Sequence, residues 1–209
     1  MIAINRLLSR AVAIVATVTL LALLALGACA SAPDATLNSE RIQQTFGSYG
    51  VEVLSSSDTD RVSSLYSDTE LGPVTRTFAV VEFARAPNVA YLDEHRRIVS
   101  GHSIGATFKS AGWEIDKRHV FIGEFDVPQR FDLLARLMQI GLPATLAAHV
   151  YRFNISKDGR SFDYATIVEV HHPDYLDTAE LKSLYGEILF DDSGRDRIDD
   201  FIDPALLSR

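Results

Sequence analysis

The chain has 209 residues, 28 acidic against 20 basic, for a net charge of −8 near neutrality. That length suffices for one domain with a real core, and 47% hydrophobic with 23% charged residues excludes a collagenous, coiled-coil or disordered protein. An acidic balance is repelled by nucleic acid and by anionic headgroups, so no nucleic-acid partner is expected.

The first residues form a separate object. Arg6 and Arg10 precede a stretch, residues 11–28, without a charge, in which Thr17 and Thr19 are the only polar interruptions. It ends at Leu26-Gly27-Ala28-Cys29, an aliphatic residue, two small ones and the chain's single cysteine. Small residues before a cut site suit a signal peptidase. The quartet resembles the lipobox of bacterial lipoprotein precursors. The resemblance implies a diacylglyceryl thioether on Cys29, cleavage before it and acylation of the new amine. Two other readings are an uncleaved membrane helix and ordinary cleavage near Ala30 or Ala32. A lone cysteine can form no intrachain disulfide, and lipidation gives it a purpose. Ala30 rather than aspartate after the cysteine resembles the sorting pattern that sends lipoproteins to the outer membrane. The expected partner is therefore the membrane, through lipid on Cys29, and the expected location is the periplasmic face of the outer membrane. Loss of Arg6 and Arg10 leaves 18 basic against 28 acidic residues. The expected parse is a signal over 1–28, a tether over 29–37, one domain over 38–190 and an acidic, solvated extension over 191–209. The tether spans at most roughly 25 Å.

Within the domain, Ser39 can cap a short helix containing Ile42 and Phe46 and ended by Gly47. Residues 51–54 read as a strand, 61–66 as its return, and 74–83 as a strand rich in β-branched and aromatic side chains. Residues 89–99 read as a helix ended by Gly101, and 104–109 as a second short helix. Residues 113–125 are strand-like. Asp126 can cap the next helix, with Leu134 and Met138 at helical spacing. Residues 147–156 and 161–170 flank Lys157-Asp158-Gly159-Arg160, a hairpin turn signal. That turn pairs Ile155 with Phe162, Phe153 with Tyr164, Tyr151 with Thr166 and His149 with Val168, and puts Glu169 on the polar face. A helix over 178–185 follows. Clustered strands with helices between the clusters indicate an α+β fold, with an antiparallel or mixed sheet of five to six strands and helices on one face.

Gly101-His102-Ser103-Ile104-Gly105 resembles the nucleophile elbow of α/β-hydrolases. The resemblance implies Ser103 as nucleophile, the Ile104 N–H at the oxyanion, Asp126 or Asp163 as acid and His171 or His172 as base. The elbow needs a buried strand before its first glycine, yet Glu94, Arg96 and Arg97 precede Gly101 and read as helix. The expectation is thus a binding or scaffolding protein, with a serine hydrolase using Ser103, Asp163 and His171 as the alternative. Glu169 and His171 share a strand face, but two ligands fall short of the usual three or four, and His171 and His172 point oppositely. His95 and His102 lie about 10 Å apart along a helix. His119 and His149 read as satisfied core histidines. No metal or cofactor is expected. The aromatic set, which includes Phe83, Trp113, Phe153 and Tyr164, reads as core or as the lining of an apolar ligand groove, and an envelope protein is the other candidate partner.

Overall fold

The computed structural model describes residues 36–84, 86–186, 188 and 192–207. The signal, Cys29 and the tether up to residue 35 lie outside the described residues. Six strands, β1 (Gly50–Ser56), β2 (Asp60–Thr69), β3 (Gly72–Phe83), β4 (Glu114–Val127), β5 (Ala144–Lys157) and β6 (Arg160–His171), form one sheet. Their spatial order is β1-β2-β3-β6-β5-β4, and every neighbouring pair is antiparallel. Around it lie α1 (Asn38–Phe46), a 3-10 turn (Val89–Tyr91), α2 (Leu92–Val99), α3 (Ile104–Ser110), α4 (Asp132–Met138), α5 (Thr178–Tyr185) and α6 (Asp192–Leu207). The class is α+β, as its clustered strands indicate. Among the described residues no helix is long and apolar enough to cross a membrane.

Helices cover both faces of the sheet rather than the expected one. On one face Phe78, Val80, Val150, Val168 and Val170 pack under Leu134 and Met138 of α4 and Ile198 and Ile202 of α6. On the other, Val81, Phe153, Ile155 and Ile167 pack under Ile98 of α2 and Phe108 of α3, and Ile122 and Ala147 pack under Ile42 of α1 and Leu181 of α5. Strands buried on both sides are apolar on both sides, as Ile167 and Val168 show in succession. The polar C-terminal stretch, expected to be solvated, is the α6 helix. Ile198, Ile202 and Ala205 fall on one helical stripe and are buried, while Asp199 and Asp200 face outward. Asp126 caps no helix. Phe125 and Val127 alternate into the core at period two, which carries β4 through Val127, and Asp126 accepts a hydrogen bond from the Thr145 hydroxyl, 2.8 Å.

The β5–β6 hairpin turns on Asp158 and Gly159, both at positive φ (52° and 74°), and pairs Ile155 with Phe162 as expected. Beyond that the register slips by one. Asn154 pairs with Asp163 and Phe153 with Ala165, so Tyr164 is an extra residue, a β-bulge. Tyr164 and Ala165 are both buried, and the Tyr164 ring packs edge-on against Phe108, 4.8 Å between centroids, and Phe83, 5.6 Å. After the bulge Tyr151 faces Ile167 and His149 faces Glu169. A one-residue slip exchanges the faces of every later side chain. Glu169 therefore shares a buried face with His149 and Tyr151 instead of lying on a polar one.

Candidate functional site

Two adjacent rows of the sheet assemble a polar cluster. In one row Ala79 of β3, Glu169 of β6, His149 of β5 and Ile122 of β4 lie side by side; in the next, Thr77, His171 and Ala147 do. Glu169 and His171, two residues apart on one strand, point the same way. Ala79 and Ala147 are small neighbours that leave the larger polar groups room. His149, Glu169 and His171 are buried, at 1%, 5% and 1% exposure.

Each of the three is anchored on one side. Glu169 Oε1 accepts hydrogen bonds from the Tyr151 hydroxyl, 3.1 Å, and from Asn38 Nδ2, 3.3 Å. Asn38, at the start of α1, also donates to Thr77 Oγ1, 3.2 Å, and accepts from the Tyr175 hydroxyl. His171 Nδ1 shares a hydrogen bond with Thr77 Oγ1, 3.0 Å, and His149 Nε2 shares one with His119 Nδ1, 2.7 Å. The Tyr185 ring at the end of α5 stacks over His119 and His149, at 4.4 and 4.7 Å. Arg41 of α1 donates to the Tyr185 hydroxyl, 3.3 Å.

The other side of each group is uncommitted. His149 Nδ1 and His171 Nε2 have no hydrogen-bond partner. They lie 4.0 and 3.9 Å from Glu169 Oε2, beyond hydrogen-bond length. Burial depresses the His171 pKa to about 4 against the pull of Glu169. Burial, aided by His171 and His119, holds His149 well below its ordinary 6.5. Both rings are therefore neutral near pH 7, and each has one nitrogen not yet used. Three potential metal donors converge here, and buried polar atoms left without partners are costly.

A cavity of about 60 Å³ adjoins the cluster. Its walls include Leu37, Asn38, Tyr49, Arg61, Ser103, Lys117, Tyr151 and Glu169. Arg61 is buried, at 2% exposure. It donates from Nε to Ser63 Oγ, 2.8 Å, and from Nη1 to the carbonyls of Ile98, 2.7 Å, and His102, 2.8 Å. These carbonyls lie at the C-terminal end of α2, where the helix dipole favours a cation. Lys117 holds its ammonium 4.8 Å from the Tyr151 ring centre, and burial lowers its pKa while Glu169 opposes the shift. Leu37, expected in the tether, is buried at the head of α1 and its N–H donates to Glu40 Oε2, 2.9 Å.

Ser103 sits between two helices rather than after a strand. Gly101, at φ 116°, ends α2, and Ser103 is the residue before α3, with φ −63° and ψ 130°. Its side chain reaches the Tyr49 hydroxyl. Asp163 is exposed near the hairpin tip. It lies eight residues from His171 along β6, about 26 Å. Ser103, Asp163 and His171 are therefore not brought together, and His171 spends its Nδ1 on Thr77. His172 turns away from His171, and its Nδ1 accepts from the Asp174 N–H, 2.9 Å. His95 shares a hydrogen bond with the Tyr164 hydroxyl, 3.0 Å. The pairing of His149 with Glu169 escapes sequence reasoning because it depends on the bulge at Tyr164. The chain matches no family model and no curated protein.

Proposed function

We propose that this is a lipid-anchored extracytoplasmic binding protein, held through Cys29 at the periplasmic face of the outer membrane, whose domain takes a small anion into the cavity beside Glu169. The anchor rests on Leu26-Gly27-Ala28-Cys29. The ligand class rests on one observation. Arg61 and Lys117, two cations withdrawn from bulk water, share a cavity wall and form no ion pair with a carboxylate among the described residues. Removing unpaired charges from water costs several kcal/mol. An anion bound between them recovers part of that cost, and among the described residues Glu169 is the only carboxylate that lines the same cavity. The aromatic residues offer less room. Tyr91, Phe108, Trp113, Phe162 and Tyr164 pack ring against ring at 4.8 to 6.3 Å.

The test is thermal unfolding of the full chain in detergent, with formate, acetate, bicarbonate and phosphate each titrated to millimolar concentration. At least one should raise Tm saturably, and Lys117→Met should abolish the rise while leaving the fold intact. No saturable rise with any of the four overturns the ligand reading. The anchor is tested separately. Cys29→Ala should abolish incorporation of labelled palmitate, and unchanged labelling overturns it.

A further inference from the structure

We infer that His149, Glu169 and His171 form a binding site for a divalent transition-metal ion of Zn2+ type. Two imidazole nitrogens and one carboxylate oxygen are a donor set suited to such an ion. The three free atoms, His149 Nδ1, His171 Nε2 and Glu169 Oε2, all lie within 4.8 Å of one another. Zn–N and Zn–O bonds near 2.0–2.1 Å allow two donors to stand at most about 4.2 Å apart, and about 3.4 Å apart at the tetrahedral angle. The 3.9 and 4.0 Å separations from the carboxylate fall inside the upper limit, the two ring nitrogens stand within 4.8 Å of each other, and side-chain rotations of about an ångström bring the three donors onto one ion.

The partners on the far side of each group carry the argument further. Metal-bound imidazoles hydrogen-bond through their second nitrogen, and ligating carboxylates through their second oxygen. Here His119 holds His149 Nε2, Thr77 holds His171 Nδ1, and Tyr151 with Asn38 holds Glu169 Oε1. The outer partners are in place, and the atoms left over face one point. A protonated imidazole paired with Glu169 does not explain the arrangement. The separations are too long for that hydrogen bond, and burial opposes the charge on both rings. Lys117 and Arg41 are the nearest cationic groups that resist a further positive ion, and Glu169 is the carboxylate that offsets them. Three protein ligands leave a coordination position for water or an anion.

This inference uses Glu169 Oε2 and the two rings, not Arg61 or Lys117, so it stands or falls apart from the anion reading. The experiment takes the full chain in detergent, without a polyhistidine tag, stripped with chelator. Zn2+ is titrated by calorimetry and Co2+ by visible absorption. The expected result is one equivalent of each per chain, with Co2+ giving ligand-field bands of a low-coordinate nitrogen and oxygen site. Glu169→Gln and His149→Gln should each weaken Zn2+ by at least about 100-fold, Thr77→Val by about 10-fold, while His102→Gln on the surface should not. Circular dichroism checks each variant. Should the ligand variants misfold, the Co2+ spectrum of the wild type and the Thr77→Val affinity decide. A folded wild type without saturable binding, or equal binding after Glu169→Gln or Thr77→Val in folded protein, overturns the site.

Discussion

His149 stands directly across the β5–β6 pair from Glu169, its Nδ1 4.0 Å from the carboxylate Oε2. The distance is too long for a hydrogen bond, although cross-strand pairing brings the two side chains together. Each has its remaining atoms tied, His149 to His119 and Glu169 to Tyr151 and Asn38. If the gap serves a cation, the carboxylate matters for binding more than for folding. Glu169→Gln retains an acceptor for Tyr151 and Asn38 and removes a buried charge. The metal-free variant should keep the wild-type unfolding free energy to within about 1 kcal/mol, or exceed it. Urea melts in excess chelator check this. A loss of several kcal/mol would make Glu169 a structural residue first.

The same cluster sets an acid limit. The folded-state pKa of His171 is about 4 against an ordinary 6.5, and burial is the main cause. An unfolded chain takes up this proton near pH 6.5 and the folded chain only near 4. Between those values the unfolded state binds more protons, so stability falls as pH falls and is flat above the window. The size is about 3 kcal/mol for His171 alone. His149 is depressed in the same direction and deepens the loss. Urea midpoints of metal-free protein at pH 7.5, 6, 5 and 4.5 should fall steadily, and a flat profile would mean that these rings are protonated in the fold.

Local signals in the chain are legible where one physical cause dominates. Asp158-Gly159 sets the hairpin because both positions need positive φ. Asp177 caps α5, accepting from the Glu180 N–H at 2.7 Å while Glu180 accepts from the Asp177 N–H at 2.8 Å, and the helix runs over the expected residues. The site is less legible. A period-two reading of β6 continues through Tyr164 because Ala165 and Ile167 beyond it are as apolar as Val168 and Val170 on the alternate positions, so nothing in the local pattern marks the bulge. What decides it is the Tyr164 ring settling among Phe83, Tyr91 and Phe108, a tertiary effect. The reading of His149 as a satisfied core histidine holds for Nε2 and fails for Nδ1.

The α6 helix is masked in the sequence by the aspartates spread along it, although Ile198, Ile202 and Ala205 keep helical spacing. Ile202 is fully buried against the sheet. Ile202→Ala should cost about 2–5 kcal/mol through lost burial and the cavity left behind, whereas the exposed Asp199→Ala should change stability by less than about 0.5 kcal/mol. Denaturant midpoints of the two variants measure the contrast. Equal, small effects would return the segment to the role of a solvated extension.

Ser103 lacks the surroundings of a nucleophile. A serine becomes a nucleophile when a base orients and deprotonates it. The hydroxyl here neighbours Tyr49 rather than a histidine, and the residue follows helix α2 instead of a buried strand. His171 is engaged by Thr77 and faces Glu169, and Asp163 is far along β6 at the exposed end. A fluorophosphonate probe should therefore leave the folded full chain unlabelled, with Ser103→Ala indistinguishable from the wild type. Labelling that disappears in Ser103→Ala would instead show an activated hydroxyl in the cavity. Lys117, on the wall of the same cavity, would then be the first group to replace in the search for its base.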